Sequence, residues 1–251
     1  MTPDRAVDTM IDRRATMSNH EETALDKVAL LRAHAPYTLA GYADFRAVID
    51  TDGAVSARLK ALFVAVAATD RRYPDLARQE LKRGVALGLS VTDALAGIIV
   101  LSSLRGEGAA GEFAALVQEC VPLGDTAPDA ALVKAEPGEA EANFREYFGT
   151  IPTPLAQLIR LSPRAADAYY LMRRGSIDAN PLSPKHGELL LLAILAAGYS
   201  PMAARHVDGA RRAGASDAEI AEATLCAIPA AGIAAWMAVG GLLEPVAEPV
   251  A

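Results

Sequence analysis

Along this chain apolar positions rarely alternate with polar ones. Few Val/Ile/Thr/Tyr runs of period two occur, and no Asn-Gly hairpin turn, so strand signals are weak. Longer apolar blocks dominate. Leu189 to Ala197 is a run of nine uninterrupted apolar residues, opened by Glu188. Ala223 to Leu243 carries no charge at all. Alanine and leucine, both strong helix formers, supply most of the hydrophobicity. The pattern predicts an all-α protein.

Helix punctuation divides the blocks. Ser162-Pro163, Ser183-Pro184, Ser200-Pro201 and Thr153-Pro154 each pair an N-cap hydroxyl with a proline at the first helical position, where the missing N–H costs nothing. Gly198 and Gly214 fall where a helix should end in a left-handed residue. Ser216 to Glu219 reads as a capping box, and Ser90 to Asp93 as a weaker one.

The punctuation repeats. At an offset of 127, Pro36 falls on Pro163, Tyr42 on Tyr169, Arg46 on Arg173, Ser56 on Ser183 and Arg78 on Arg205. After a one-residue gap, Gly88 falls on Gly214, Ser90 on Ser216 and Gly106 on Gly232. This predicts two tandem repeats, each reading helix, helix, short turn, helix, capped helix, long apolar helix. The expected organisation is a polar N-terminal arm over 1–24, a first repeat over 25–119, a linker over 120–144 with room for one short helix, and a second repeat over 145–251.

Composition narrows the function. The 251 residues are 52% hydrophobic but only 5% aromatic, and the formal net charge is −7. No basic cluster with interleaved aromatics occurs, which argues against nucleic acid as a partner. The two cysteines, Cys120 and Cys226, form neither a CxxC nor a disulfide framework, which fits a cytoplasmic protein. The N-terminus lacks the apolar core of a signal peptide. Ala223 to Leu243 is long enough to span a bilayer, but it is rich in Ala and Gly and holds Pro229. Close-packed helices in an oligomer explain it better than a membrane span. His20, His34 and His186 show no metal-ligand spacing, and neither HExxH, a glycine-rich phosphate loop nor GxSxG is present. No metal or cofactor is expected.

Leu182-Ser183-Pro184 with Glu188-Leu189, then His206, then "AGASDAEIAEA", then "AAGIAAW" resembles the carboxymuconolactone decarboxylase and alkylhydroperoxidase D-like superfamily over roughly residues 160–243. The resemblance implies a helical bundle around a buried site and association as a homo-oligomer, for a double repeat a trimer. The peroxidase branch of the superfamily carries a CxxC just before its histidine. Tyr199 and Met202 stand at those two positions here, so thiol-based peroxide chemistry is excluded. The decarboxylase branch keeps the histidine without the cysteines and removes CO2 from a small lactone acid without a cofactor. His206 matches that histidine, and Glu188 aligns with a glutamate of the peroxidase branch.

The expected catalytic pair is therefore His206 as general acid/base and Glu188, at the margin of a buried helix face, as its partner. Arg205 and Arg173 are the expected clamps for a substrate carboxylate, with Lys185 behind them. Tyr199, Met202 and Trp236 are the expected pocket residues. In the first repeat Ala61 and Gln79 occupy the places of Glu188 and His206. Two functions follow from this: a cofactor-independent lyase acting on a small carboxylic or lactone acid, or a non-catalytic oligomeric binding or scaffold protein that has lost a redox site.

Overall fold

A computed structural model describes residues 23–124 and 129–243. The arm assigned to 1–24 lies almost wholly outside the described residues. Among those described every regular element is helical. The chain divides into two compact units, Met1–Ala47 and Val48–Ala251. In the first, Thr23 and Asp26 exchange hydrogen bonds ahead of α1 (Ala29–His34), and Pro36 opens α2 (Pro36–Asp50), which runs on into the second.

The second unit holds α3 (Ala57–Asp70), α4 (Pro74–Ala86), α5 (Val91–Arg105), α6 (Glu107–Cys120), α7 (Glu139–Phe148), α8 (Thr153–Leu161), α9 (Pro163–Ile177), α10 (Pro184–Ala197), α11 (Ala203–Arg212), α12 (Asp217–Leu225), α13 (Ile228–Ala231), α14 (Ala234–Met237) and a 3-10 turn (Gly240–Leu242). Two of these, α3 and α10, are apolar on every side and are buried along almost their whole length. Such helices belong in the middle of a core. They pack on each other, with α4, α5 and α6 around α3, and α11 and α12 around α10. A separate, smaller apolar cluster joins α7 to α9: Ala140, Phe144, Ala166 and Tyr170 are its buried members.

Backbone geometry recurs at the offsets found in the sequence. Ser56 and Ser183 both cap a central helix, accepting from Leu59 and His186 N–H groups. Ser90 and Ser216 both form complete capping boxes, with Asp93 and Glu219. Asp93 pairs with Arg58, and Glu219 with Lys185 at 2.6 Å. Gly106 (φ 84°, ψ −176°) and Gly232 (φ 71°, ψ −177°) make the same turn. The two non-glycine residues with positive φ among the described residues, Arg72 (62°) and Tyr199 (52°), also lie 127 apart (199 − 72).

Several local expectations differ from the structure. The uncharged 223–243 stretch is not one long helix. Pro229 sits in the first turn of α13 and Gly232 turns the chain with positive φ, so the segment breaks into α13, α14 and the 3-10 turn. After the matching Gly106 the chain instead continues into the 14-residue α6. No helix among the described residues is long and apolar enough to cross a membrane. The left-handed residue after α10 is Tyr199 and not Gly198. The absent side chain of Gly198 makes room for Arg105, whose Nη2 would lie 2.8 Å from a Cβ there. Helix α11 begins at Ala203 and not at Pro201. Ser200 and Pro201 form the turn before it, with the Ser200 hydroxyl accepting from the Met202 N–H at 3.3 Å. Ser162 and Thr153 make no side-chain cap.

Candidate active site

Glu188 lies just past the first turn of α10, behind the Ser183 cap and Pro184. Its residue surface is 3% exposed, which a carboxylate tolerates only with partners. Both of its oxygens have one. His206 Nδ1, from α11, lies 2.7 Å from Oε2, and the Tyr147 hydroxyl, from the last turn of α7, donates to Oε1 at 3.1 Å. Gly209 permits the close approach. A Cβ on that residue would stand 2.7 Å from all three carboxylate atoms.

Tyr147 is itself held. The Arg173 guanidinium carbon, from α9, sits 3.6 Å from the ring centroid, and that of Arg212 5.2 Å from it, both cation–π contacts. Burial and the neighbouring Glu188 charge push the Tyr147 hydroxyl's pKa up, and Arg173 opposes them only in part. The phenol therefore stays protonated, and a donor, across the neutral range. Arg173 is 5% exposed. Its Nη1 donates to Asn143 Oδ1 at 2.8 Å, while its Nη2 is buried with no hydrogen-bond partner.

A cavity of ≈ 60 Å³ opens beside these groups. Met202, Arg173, Arg205 and His206, all expected in the pocket, line it. Tyr147, Phe148 and Tyr169 complete its aromatic wall, and Ser103 and Leu104 close it from α5. No carboxylate of the described residues belongs to the lining, whose charged groups are the guanidiniums of Arg173 and Arg205. His206 Nε2 makes no hydrogen bond to any described residue, and Arg205 forms no ion pair with one.

Three expected residues are placed elsewhere. Tyr199 is not on the cavity. Its hydroxyl donates to the Ala231 carbonyl at 2.6 Å and ties the α10–α11 turn to α13. Trp236 lies against Gly240, where a Cβ would come within 2.8 Å of its ring, and so packs the C-terminal turn. Lys185 is not on the cavity and pairs with Glu219. Conversely, Tyr147 went unread in the sequence. Its signal was the spacing of Ala140, Phe144, Tyr147 and Phe148 on one face of a helix. That helix begins inside the stretch read as a linker.

A carboxylate–histidine pair in a helical bundle, on a cavity lined by cations and donors, can be set against known proteins. Residues 163–244, which carry both Glu188 and His206, match the carboxymuconolactone decarboxylase family. A solved structure from Burkholderia xenovorans LB400, bearing the name of a gamma-carboxymuconolactone decarboxylase subunit, superposes with a TM-score of 0.58 at 21% identity. The match covers 83% of this chain and 86% of that one. At that identity the likeness establishes a shared fold. It extends well beyond the family segment, and Tyr147 and the α5 wall of the cavity lie outside that segment. No curated protein matches the chain in sequence. Within the matched segment, Tyr199 and Met202 stand where the sequence resemblance places the cysteines of the peroxidase branch.

Proposed function

We propose that the chain is a cofactor-independent lyase that decarboxylates, or isomerises by proton transfer, a small carboxylic or lactone acid. The observation that carries this reading is the buried Glu188–His206 hydrogen bond beside a cavity that Arg173 and Arg205 line. Arg173 and Arg205, which both line the cavity, would hold the substrate's carboxylate or carbonyl oxygen. In the decarboxylation the bond to the carboxyl carbon breaks and CO2 leaves. The electron pair passes into the adjoining unsaturated carbonyl system. His206, entering the step as the imidazolium, gives its Nε2 proton to the resulting carbanion, is left as the neutral Nδ1–H tautomer on Glu188, and is reprotonated from solvent. Glu188 keeps the imidazole in place and stabilises its charged form, as a carboxylate behind a catalytic histidine does. An apolar wall of Phe148, Ile177 and Leu191 disfavours a localised carboxylate relative to a delocalised transition state.

The test is turnover of a panel of small lactone and carboxylic acids, read as CO2 release and as product by NMR. His206→Ala should lower turnover by about a hundredfold or more. Unchanged turnover would sink the assignment. A second reading, an oligomeric binding or scaffold protein, is favoured by one observation. The first repeat keeps its helices with Ala61 and Gln79 at the places of the pair. On that reading no ligand depends on His206. Both readings include a homo-oligomer, proposed as a trimer, for which the exposed Ile233, Met237 and Leu242 supply apolar surface. Light scattering of the full chain measures its size.

A further inference from the structure

The Glu188 carboxylate uses one oxygen for His206, and the other is taken by a residue that neither the family segment nor the repeat pattern points to. Tyr147 is fixed on several sides. Arg173 stacks on its ring, Phe148 meets it edge-on at 4.8 Å and 83°, and Arg173 is in turn anchored to Asn143, one turn earlier in the same helix. A carboxylate with a single partner can rotate about its last bond and exchange its oxygens. With a donor on each oxygen its plane is set. Setting that plane fixes the lone pair that faces His206 Nδ1. That in turn favours the Nδ1–H tautomer and leaves Nε2 as the working nitrogen.

We propose that Tyr147 is the positioning residue of the pair: its hydroxyl locks the Glu188 carboxylate in the orientation that holds His206 Nδ1–H. Its importance for catalysis rests on the reading of His206 given above, but the lock is a property of the resting protein. It is therefore tested without substrate, from the solvent-exchange rate of the His206 Nδ1–H proton in imidazole 1H–15N spectra of the full-length protein. Tyr147→Phe removes only the hydroxyl and should speed that exchange about tenfold or more, the factor expected for loss of a hydrogen bond to a charged group, with the helical circular dichroism retained. In a Glu188→Gln background the same change should add nothing further, because the lock acts through Glu188. An unchanged rate in Tyr147→Phe, or equal acceleration in the Glu188→Gln background, overturns the proposal. Should Tyr147→Phe fail to fold, 3-fluorotyrosine at position 147 keeps the ring and makes the hydroxyl a stronger donor. It should slow the exchange, and an unchanged rate is again fatal. Where an acid with His206-dependent turnover is found, Tyr147→Phe should lower kcat about tenfold and leave KM unchanged. Absence of any such substrate removes the lyase reading while the exchange data still decide the lock.

Discussion

Gly209→Ala is the sharpest probe of the site, because ordinary helix energetics predict the wrong sign for it. Gly209 is inside α11, where alanine is favoured over glycine by about 1 kcal/mol. The added Cβ, however, would stand 2.7 Å from Cδ, Oε1 and Oε2 of Glu188, so the carboxylate must leave. Leaving breaks the bonds to His206 and Tyr147 in a buried setting. Hydrogen bonds to a charged group are worth about 1.5–3 kcal/mol each, so the two together lose about 3–6. Subtracting the helix gain leaves a net loss of about 2–5 kcal/mol. For a chain of this size that corresponds to a melting temperature lower by about 4–20 °C. Urea denaturation and calorimetry measure it. Gly111→Ala in α6 is the control: a Cβ there meets nothing within 4 Å, and the change should stabilise by up to about 1 kcal/mol. In a Glu188→Ala background Gly209→Ala should lose its penalty, since nothing is left to displace. If Gly209→Ala and Gly111→Ala shift stability in the same direction, the close approach of Glu188 to α11 is refuted, and with it the geometry of the pair.

Other outcomes follow from the same structure. Glu222 accepts from the Ala54 and Val55 N–H groups and pairs at 2.9 Å with Lys60, which is 1% exposed. Glu222→Gln leaves that cation buried without its counter-charge and should cost about 3–5 kcal/mol at neutral pH in a denaturant titration. Burial raises the Glu222 pKa, but the Val55 and Ala54 donors and Lys60 outweigh it and hold the group below its ordinary 4.5. Its contribution is thus full above that value and is lost as pH falls toward the folded pKa, so the gap between wild type and Glu222→Gln should close on acidification. Arg173→Ala should raise KM for any carboxylate substrate at least tenfold, measured by initial rates, since it removes one of the two guanidiniums that line the cavity. Changing Cys120 and Cys226 together to serine should leave turnover unaltered. Burial pushes the Cys120 thiol up, away from the thiolate, and Cys226 is fully buried.

Much was determined by the sequence alone because it rests on local rules. Apolar blocks without alternation dictate helices. Ser56, Ser90, Ser183 and Ser216 cap them as their spacing predicts, and Glu188 and His206 are legible as a pair through the family resemblance. Other features depend on what distant segments bring together. Tyr147 lies 41 residues from Glu188, and no local pattern says that its hydroxyl meets that carboxylate. Ser103 and Leu104 reach the cavity only because α5 packs on α9 and α10. Tyr199 stood at the right place in the sequence for a pocket residue, but a left-handed backbone turns it to the Ala231 carbonyl. Sequence fixes the type of each side chain and the helix face it occupies. Which faces converge on one buried carboxylate is set by packing, since only there must every donor and charge removed from water find a partner.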